Sequence, residues 1–369
     1  MQIFHQLRTT LAREKFSSFE WKENGEGCEA PAGQSPSYIH RHLLQNITPR
    51  NSFSGAVDFE KWQISGKEVL RTLLSVDFCA NSVDPLHYVT SWNAVDELGH
   101  HEKIYLPGEY GSKIPIILSR PRWTEPKKWI ICSQGHNSGM HNSIGVHPHN
   151  PEKTFVPAGD REFATWCLRN GMGALSVEHR GFGERIEVDL KNRNSHGCHD
   201  AVMHALIVGR TLLGERLIDL HRATSFLQST IGFDIELGVM GNSSGGTLSL
   251  LAAILFPQVH FCIASSCFSS FALSLFGHPH CIEMYIPRIC EHFEMGDLIG
   301  LITPKKLLLI QGVNDLQFPL RGVRREYRKV QSIYESGNAV DNVTLQIGQQ
   351  GHRFYSALAE SGCRRLGIL

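Results

Sequence analysis

Ser243 stands between two glycines in the sequence Gly-Asn-Ser-Ser-Gly-Gly of residues 241–246. A mostly apolar run, Ile235–Met240, precedes this sequence, and a helix-like segment, Thr247–Phe256, follows it. A serine on a sharp turn from strand to helix is exposed as a nucleophile, and its strained backbone requires small residues two positions before and after. The amides and the positive dipole end of the helix would face the same point, which suits the oxyanion of an acyl transfer.

An acid and a base for this serine follow two later strand-like runs. Leu307–Ile310 is a short apolar run typical of a buried parallel strand, and Asp315 lies in the polar turn after it. Val343–Ile347 predicts another strand, and His352 ends the glycine-containing loop that follows. A hydroxyl needs a histidine to take its proton and a carboxylate to orient that histidine. We therefore predict that Asp315 and His352 serve Ser243.

Other residues could fill these two roles, and the competitors are Asp297, Asp341, His278 and His280. Neither competing acid directly follows a strand in the required order. The two competing histidines lie between the sixth predicted strand and Asp315, in a segment more typical of a lid or cap. The order serine, acid, histidine, each after its own strand, favours Ser243, Asp315 and His352.

Acyl transfer also needs donors for the oxyanion. The amide of Ser244, directly after the nucleophile, supplies the first. The loop Ser133–Gly139 follows the strand-like run Trp129–Cys132, and its amide at His136 or at Asn137 is the natural second donor. We expect His136 to be that donor.

These residues resemble the α/β-hydrolase superfamily, and the resemblance covers roughly Asp77 to Phe354. Two features resemble the branch with acetyl xylan esterases, cephalosporin deacetylases and dienelactone hydrolases. They are Arg-Gly-Phe-Gly-Glu at 180–184, and Asp219 with Arg222 on the helix before the serine. The loop after the third strand often reads His-Gly-His-Gly in that branch, whereas here residues 134–137 read Gln-Gly-His-Asn.

The elements needed to position these residues are strands alternating with helices, which predict an α/β fold with a mostly parallel sheet flanked by helices. Eight strands are expected: Lys103–Leu106, Ile114–Ser119, Trp129–Ser133, Ala174–Glu178, Leu237–Met240, Val259–Ala264, Lys306–Ile310 and Val343–Ile347. An N-terminal helical extension (1–75) is expected to precede the catalytic domain (76–369). Two lid-like segments, about 137–159 and 265–302, would overhang the site. Pocket residues expected in the second are Phe268, Phe271, Met284 and Tyr285.

Composition narrows the function classes. The chain has 369 residues with 36 basic and 36 acidic side chains, and this balance gives no electrostatic reason to expect nucleic acid or an anionic membrane as a partner. Its first 19 residues lack the continuous apolar stretch of a secretory signal, so a soluble, cytoplasmic protein is expected. Buried free thiols are the favoured interpretation of the ten cysteines.

Four histidines that could bind a metal occur within fourteen residues: His136, His141, His147 and His149. The stretch 137–159 contains several Pro and Gly residues without a regular period, which favours an overhanging loop over a metal site. No metal and no other cofactor is expected.

The residues thus predict a serine hydrolase with a small-molecule ester substrate. The resemblance implies a carboxylic ester, with a short acyl group such as acetyl on a small polar molecule, cleaved through an acyl-enzyme on Ser243. A peptidase or amidase, or an acyltransferase, could use the same three residues. A noncatalytic binding protein on the same fold is the alternative of another class, although such a protein has no need of a triad.

Overall fold

The computed structural model describes residues 36–55, 57–78, 87–136, 138–148, 150–187 and 197–369. The chain divides into two compact units, Met1–Ile47 and Thr48–Leu369. In the first, the described part is mainly helix α1, Pro36–Asn46, which contains the predicted helical stretch from Ile39 to Leu44. The helix predicted over residues 2–19 lies outside the described residues. The division into an extension (1–75) and a catalytic domain (76–369) stays a prediction.

The second unit contains the strands and the remaining helices. Its strands are β1 Val89–Val95, β2 Gly99–Pro107, β3 Lys113–Pro121, β4 Lys128–Ser133, β5 Val146–His147, β6 Asn150–Thr154, β7 Gly173–Val177, β8 Glu236–Asn242, β9 Val259–Ser265, β10 Lys306–Gly312 and β11 Val343–Gly348. Its helices are α2 Phe59–Leu74, α3 Phe163–Arg169, α4 His199–Ile207, α5 Leu212–Ile231, α6 Ser244–Leu255, α7 Ile289–His292, α8 Met295–Gly300, α9 Leu320–Ser336 and α10 Ser356–Arg365.

One sheet of the described residues has nine strands in the order β1-β2-β3-β7-β4-β8-β9-β10-β11. The five pairs from β7 to β11 are parallel, and the three pairs from β1 to β7 are antiparallel. The α/β class and the mostly parallel sheet are therefore confirmed. The predicted count of eight strands is wrong, because β1 adds a ninth. As an edge strand with mostly exposed side chains and an irregular register near Thr90, β1 carries only a weak apolar pattern.

The strand order places the predicted site residues on one side of the molecule. Strand β4 lies between β7 and β8, both of which follow it in sequence, so the connections diverge at β4. Open α/β sheets bind ligands beyond the carboxyl ends of the strands at such a switch point. Because β4, β8, β9, β10 and β11 are mutually parallel, the loops after all five emerge at this edge.

Apolar side chains cover both faces of the sheet. On one face, α2, α5 and α6 contribute to a large core cluster that includes Leu70, Phe226 and Leu251. On the other face, Phe163 and Phe354 belong to a second cluster with residues of α3 and α10. Helix α2 begins at an N-cap, Asp58, whose carboxylate accepts the amide hydrogen of Lys61. Burial on both faces explains why the central strands are almost continuously apolar.

Candidate active site

Ser243 lies between the last residue of β8 and the first residue of α6, half-buried at the switch-point edge. Its backbone has φ 56° and ψ −126°, a conformation that non-glycine residues rarely adopt. Its amide donates a 2.9 Å hydrogen bond to the carbonyl of Ser265 at the end of β9, and its own carbonyl accepts from Thr247 at 2.9 Å. The serine is therefore held in the strained turn that a nucleophile elbow requires.

The glycines around Ser243 are required by close backbone contacts. A Cβ atom on Gly241 would collide with the carbonyl oxygen of Gly245. A Cβ on Gly245 would collide with the carbonyl oxygens of Ser133 and Gln134, at the end of β4. These collisions involve backbone atoms, which cannot turn aside as a side chain can. The sequence pattern around the serine thus has a steric reason in this structure.

His352 and Asp315 form a direct pair beside this elbow. The imidazole Nδ1 of His352 lies 2.9 Å from Oδ2 of Asp315, and the Asp315 side chain is fully buried. Although burial alone would raise it, the hydrogen bond and charge of His352 lower the pKa of Asp315 below its usual value. An ionised aspartate that accepts from Nδ1 leaves Nε2 of the histidine to act as a base.

The loops that carry this pair are fastened to each other and to the sheet. The amide of Asn314 donates to the carbonyl of Gln350 at 3.1 Å. The hydroxyls of Ser265 and Ser266 both donate to the carbonyl of Arg353, at 2.8 and 3.0 Å. Since the Ser265 carbonyl also holds the Ser243 amide, the loops of the nucleophile and of the base share one anchor at the end of β9.

The predicted oxyanion loop lies against the nucleophile. An added Cβ on Gly135 would be 3.4 Å from the Cβ of Ser243 and 3.1 Å from the carbonyl oxygen of Asn242. The buried side chain of Gln134 braces the loop by donating to the Ser143 hydroxyl at 2.8 Å and to the Arg161 carbonyl at 2.9 Å. His136 is therefore one residue from the point where the loop approaches Ser243. Asn137, the alternative donor, lies outside the described residues.

The other predicted donor, Ser244, begins helix α6 and is 2% exposed. Amides of the first helical turn have no carbonyl partner within the helix, so they point toward the turn that carries Ser243. The Ser244 hydroxyl accepts a hydrogen bond from Nη1 of Arg216 at 3.3 Å. Arg216 had no predicted role, and no motif around it in the sequence indicates one.

Two of the four competing acids and bases have other partners, and a third lies at the opposite edge of the sheet. Asp297 accepts from the amide of Phe53 at 2.8 Å and lies 3.2 Å from Nζ of Lys329, where it joins α8 to two other segments. Asp341 lies in the short turn before β11, at the opposite edge of the sheet. His280 is near His352, but its Nε2 lies 3.0 Å from the carbonyl of Gln317. The geometry favours Asp315 and His352.

An apolar cavity of about 30 Å³ is lined in part by residues next to the site. Its wall includes Thr247, one turn after Ser243 in α6, and Phe318, whose ring stacks on His352 with centroids 6.0 Å apart. Of the predicted pocket residues, Phe271 and Met284 line this cavity. Phe268 is buried in the main core, and the hydroxyl of Tyr285 donates to the Leu275 carbonyl at 3.0 Å.

The motif at 180–184 and Asp219 meet in a buried ion network. Both oxygens of Asp219, which is 1% exposed, accept from Arg180 at 2.8 Å, and one also accepts from Arg185 at 2.6 Å. Arg180 additionally donates to Glu109 at 2.9 Å. Both arginines come from the loop after β7, whereas Asp219 lies on α5. The network fixes that loop to α5.

The histidines between residues 136 and 149 that the structure describes have different partners and do not form one site. His136 Nδ1 lies 2.9 Å from Glu283, and His141 Nε2 lies 3.3 Å from Glu184. His147 is exposed in β5, and His149 lies outside the described residues. The described residues do contain one group of three possible ligands within 4.8 Å of one another, and it consists of His136, Cys198 and Glu283.

Of the described helices, none combines the length and the apolar character needed to cross a bilayer.

Known proteins similar to this chain include a hydrolase and several esterases. No protein-family model matches the chain. A Bacillus subtilis (strain 168) protein named "Putative hydrolase YtaP" is 23% identical over 245 residues, which is 65% of this chain and 78% of that protein.

Two solved esterases share the architecture. A "putative acetyl xylan esterase" from Bacteroides fragilis NCTC 9343 is 17% identical, with 89% of this chain and 84% of that one covered at a TM-score of 0.70. A glucuronoyl esterase from Caldicellulosiruptor kristjansonii is 13% identical, with 89% and 93% covered at a TM-score of 0.56. At these identities the likeness establishes the fold. The resemblance predicted from the elbow and the chain order is confirmed: the protein has the α/β-hydrolase fold.

Proposed function

We propose that this protein is a serine hydrolase that cleaves carboxylic esters through an acyl-enzyme on Ser243. The observation that carries the proposal is the convergence of three separate loops at one sheet edge. Ser243 occupies a strained elbow there, and His352 is paired at 2.9 Å with the buried Asp315. The hydrolase relative and the esterase neighbours support the same reaction class.

In the proposed reaction, Nε2 of His352 takes the proton of the Ser243 hydroxyl while the serine oxygen attacks the ester carbonyl. The carbonyl electrons move to its oxygen, and the amides of Ser244 and of the His136 loop stabilise that negative charge. His352 then gives its proton to the departing alcohol. Water attacks the acyl-enzyme in the same way, and the acid and the free serine are released.

The small volume of the adjoining cavity favours a short acyl group in the substrate. A space of about 10–15 Å³ on this scale holds one water, so a cavity of about 30 Å³ accommodates a group of roughly two carbons. Its apolar wall excludes a charged acyl group. We therefore propose acetyl or a similarly short acyl group, on a small polar alcohol.

The proposal extends to the lids over the site, the location of the protein and its partners. Residues 137–159 and 265–302 would act as lids over the site, and the chain would work in the cytoplasm. The proposed partner is the ester substrate, without nucleic acid, membrane or cofactor.

The test is turnover of p-nitrophenyl acetate, butyrate and octanoate by the purified protein and by Ser243→Ala, with fluorophosphonate labelling of both. We expect acetate to be cleaved fastest, and both turnover and labelling to be lost in Ser243→Ala. Labelling without ester turnover would redirect the proposal to an amidase or acyltransferase. Absence of both from the wild-type protein would refute it and favour the binding-protein alternative.

A further inference from the structure

Both predicted oxyanion residues are attached to one buried polar group, which we call the brace: Glu283, Cys198 and Arg216. Glu283 comes from the turn Ile282–Met284 in the segment after β9, Cys198 precedes α4, and Arg216 lies in α5. All three side chains are at most 2% exposed. Three distant parts of the chain therefore converge beneath the site, where an unpaired charge would be costly.

One end of the brace holds His136. Oε1 of Glu283 accepts from Nδ1 of His136 at 2.9 Å, and Oε2 accepts from the thiol of Cys198 at 3.2 Å. Although burial would raise it, the hydrogen bond from His136 and the nearby Arg216 charge lower the pKa of Glu283 to about 2. The carboxylate is ionised at neutral pH, so its bond to His136 is charge-assisted.

The other end of the brace holds Ser244. Arg216 donates to the Ser244 hydroxyl at 3.3 Å, and its Nε and Nη2 donate to the carbonyl of Arg180 at 3.0 and 2.7 Å. Its guanidinium carbon lies 4.1 Å from the ring centroid of Phe182. The ring of Phe182 in turn meets that of His136 edge to face, with centroids 5.2 Å apart. The two ends are thus joined by direct packing.

We propose that Glu283 and Arg216 are positioning residues that set the two oxyanion donors through His136 and Ser244. This inference rests on the proposed function. Glu283 fixes the side chain of the residue that follows Gly135, where an added Cβ would lie 3.4 Å from the Cβ of Ser243. Arg216 fixes the residue directly after Ser243 and adds a buried positive charge behind it. Donors fixed before the reaction stabilise the transition state without a cost of reorganisation.

His136, Cys198 and Glu283 also resemble a metal site, since imidazole, thiol and carboxylate suit zinc. Two observations favour the brace. Both Glu283 oxygens already accept hydrogen bonds from the other two members. A bound cation would also face the charge of Arg216.

The primary test is Glu283→Gln, which keeps the size of the side chain but removes its charge. We expect kcat for p-nitrophenyl acetate to fall about 10- to 100-fold, with KM changed less than about threefold, because only transition-state binding is lost. Glu291→Gln is the matched control: it lies on the same segment and its carboxylate pairs with exposed Arg288, so kcat should not change.

Binding of ethylboronic acid separates positioning from general stability. Its boron bonds to the Ser243 oxygen and becomes a tetrahedral anion as His352 takes the serine proton. The inhibition constant should weaken in Glu283→Gln by about the same factor as kcat. An unchanged kcat and inhibition constant in a folded Glu283→Gln protein would overturn the inference, provided that wild-type turnover has been observed. If the wild-type protein lacks turnover, the proposed function itself fails.

A double-mutant cycle tests the Arg216 end. Arg216→Lys should lower kcat in the wild-type background, and it should lower kcat by a smaller factor in Ser244→Ala, where the hydroxyl partner is already absent. Fully additive effects would overturn this half of the inference. Stoichiometric zinc in the purified protein, with activity lost to a chelator and restored by zinc, would overturn the brace in favour of a metal site.

Discussion

Oδ1 of Asp315 accepts the amide hydrogens of Gln317 and Phe318, at 3.0 and 3.2 Å, while Oδ2 lies 2.9 Å from Nδ1 of His352. The aspartate is therefore fixed by its own turn before it meets the histidine. The same turn supplies Phe318, whose ring stacks on that of His352. The imidazole is oriented by a charge at one edge and by an aromatic ring over one face.

Asp315→Asn should lower kcat by about 10³- to 10⁴-fold with a smaller change in KM, because an amide does not enforce the histidine tautomer that leaves Nε2 free. Steady-state kinetics on p-nitrophenyl acetate measure this. Asp341→Asn is the control, since that acid lies at the opposite sheet edge. A comparable loss in both variants would contradict the assignment of Asp315.

Gly245→Ala should destabilise the protein by about 1–3 kcal/mol or prevent folding, because the new methyl group collides with the carbonyl oxygens at the end of β4. Gly55→Ala is the matched control: no atom lies within 4 Å of an added Cβ there, so its free energy of unfolding should change little. Urea denaturation compares the two. Equal stability of both variants would show that the elbow has more room than this structure gives it.

Met284→Ala should widen the acyl preference. The side chain lines the cavity of about 30 Å³, so its removal makes room for a longer chain. The ratio of kcat/KM for butyrate to that for acetate should rise by about 10-fold or more, the usual effect of accommodating one or two methylenes. Met203→Ala, at an exposed position on α4, should leave the ratio unchanged. An unaltered ratio in Met284→Ala would mean that the acyl group binds elsewhere.

Glu178 makes stability depend on pH. It follows β7, is 1% exposed and accepts the amide hydrogens of Met140 and Glu184 at 3.0 and 3.3 Å. Burial raises the pKa of its carboxyl from 4.5 to about 8, although those amides and Arg185 oppose the shift. The folded protein thus retains a proton that the unfolded chain loses. The protonated Glu178 carboxyl therefore contributes its full stabilisation of the folded state below about pH 4.5, and this contribution is lost as the pH rises through about 8.

Glu178→Gln should flatten this pH dependence, because glutamine is neutral throughout. Its single oxygen can accept from only one of the two amides, so the variant should also be less stable than the wild type at every pH. Between pH 5 and 8, the free energy of unfolding of the wild type should fall relative to that of the variant by a few kcal/mol at most, since one pKa unit is worth about 1.4 kcal/mol. Urea midpoints at pH 5, 6.5 and 8 measure it, with exposed Glu335→Gln as the control. If wild type and Glu178→Gln lose stability in parallel over this range, another group is responsible.

Asp219→Asn should cost about 3–5 kcal/mol of unfolding free energy, because it leaves Arg180 and Arg185 without their buried counter-charge. Glu360→Gln removes an exposed ion pair with Arg364 in α10 and should cost less than about 1 kcal/mol. Thermal or urea unfolding of the two variants gives the comparison. A small effect of Asp219→Asn would mean that Glu109 and Glu215 suffice to neutralise the arginines.

Local patterns in the sequence determined the fold class and the pairing of Asp315 with His352. The eight strands predicted are all present. The six that pair in parallel are apolar along most of their length, and polar turns follow their ends. The elbow was visible because its sharp turn tolerates only small residues near Ser243. Strand β1 escaped prediction because an edge strand buries too little surface to impose an apolar pattern.

Only the tertiary structure decided which distant side chains meet. Glu283 and His136 are 147 residues apart, and Arg216 reaches Ser244 across 28. No local spacing relates them, because crossover connections bring their segments together. The same holds for Asp219, which pairs with arginines from another loop. Chain order defines where each strand ends, but the contacts of a buried charge depend on how helices and loops pack over those ends.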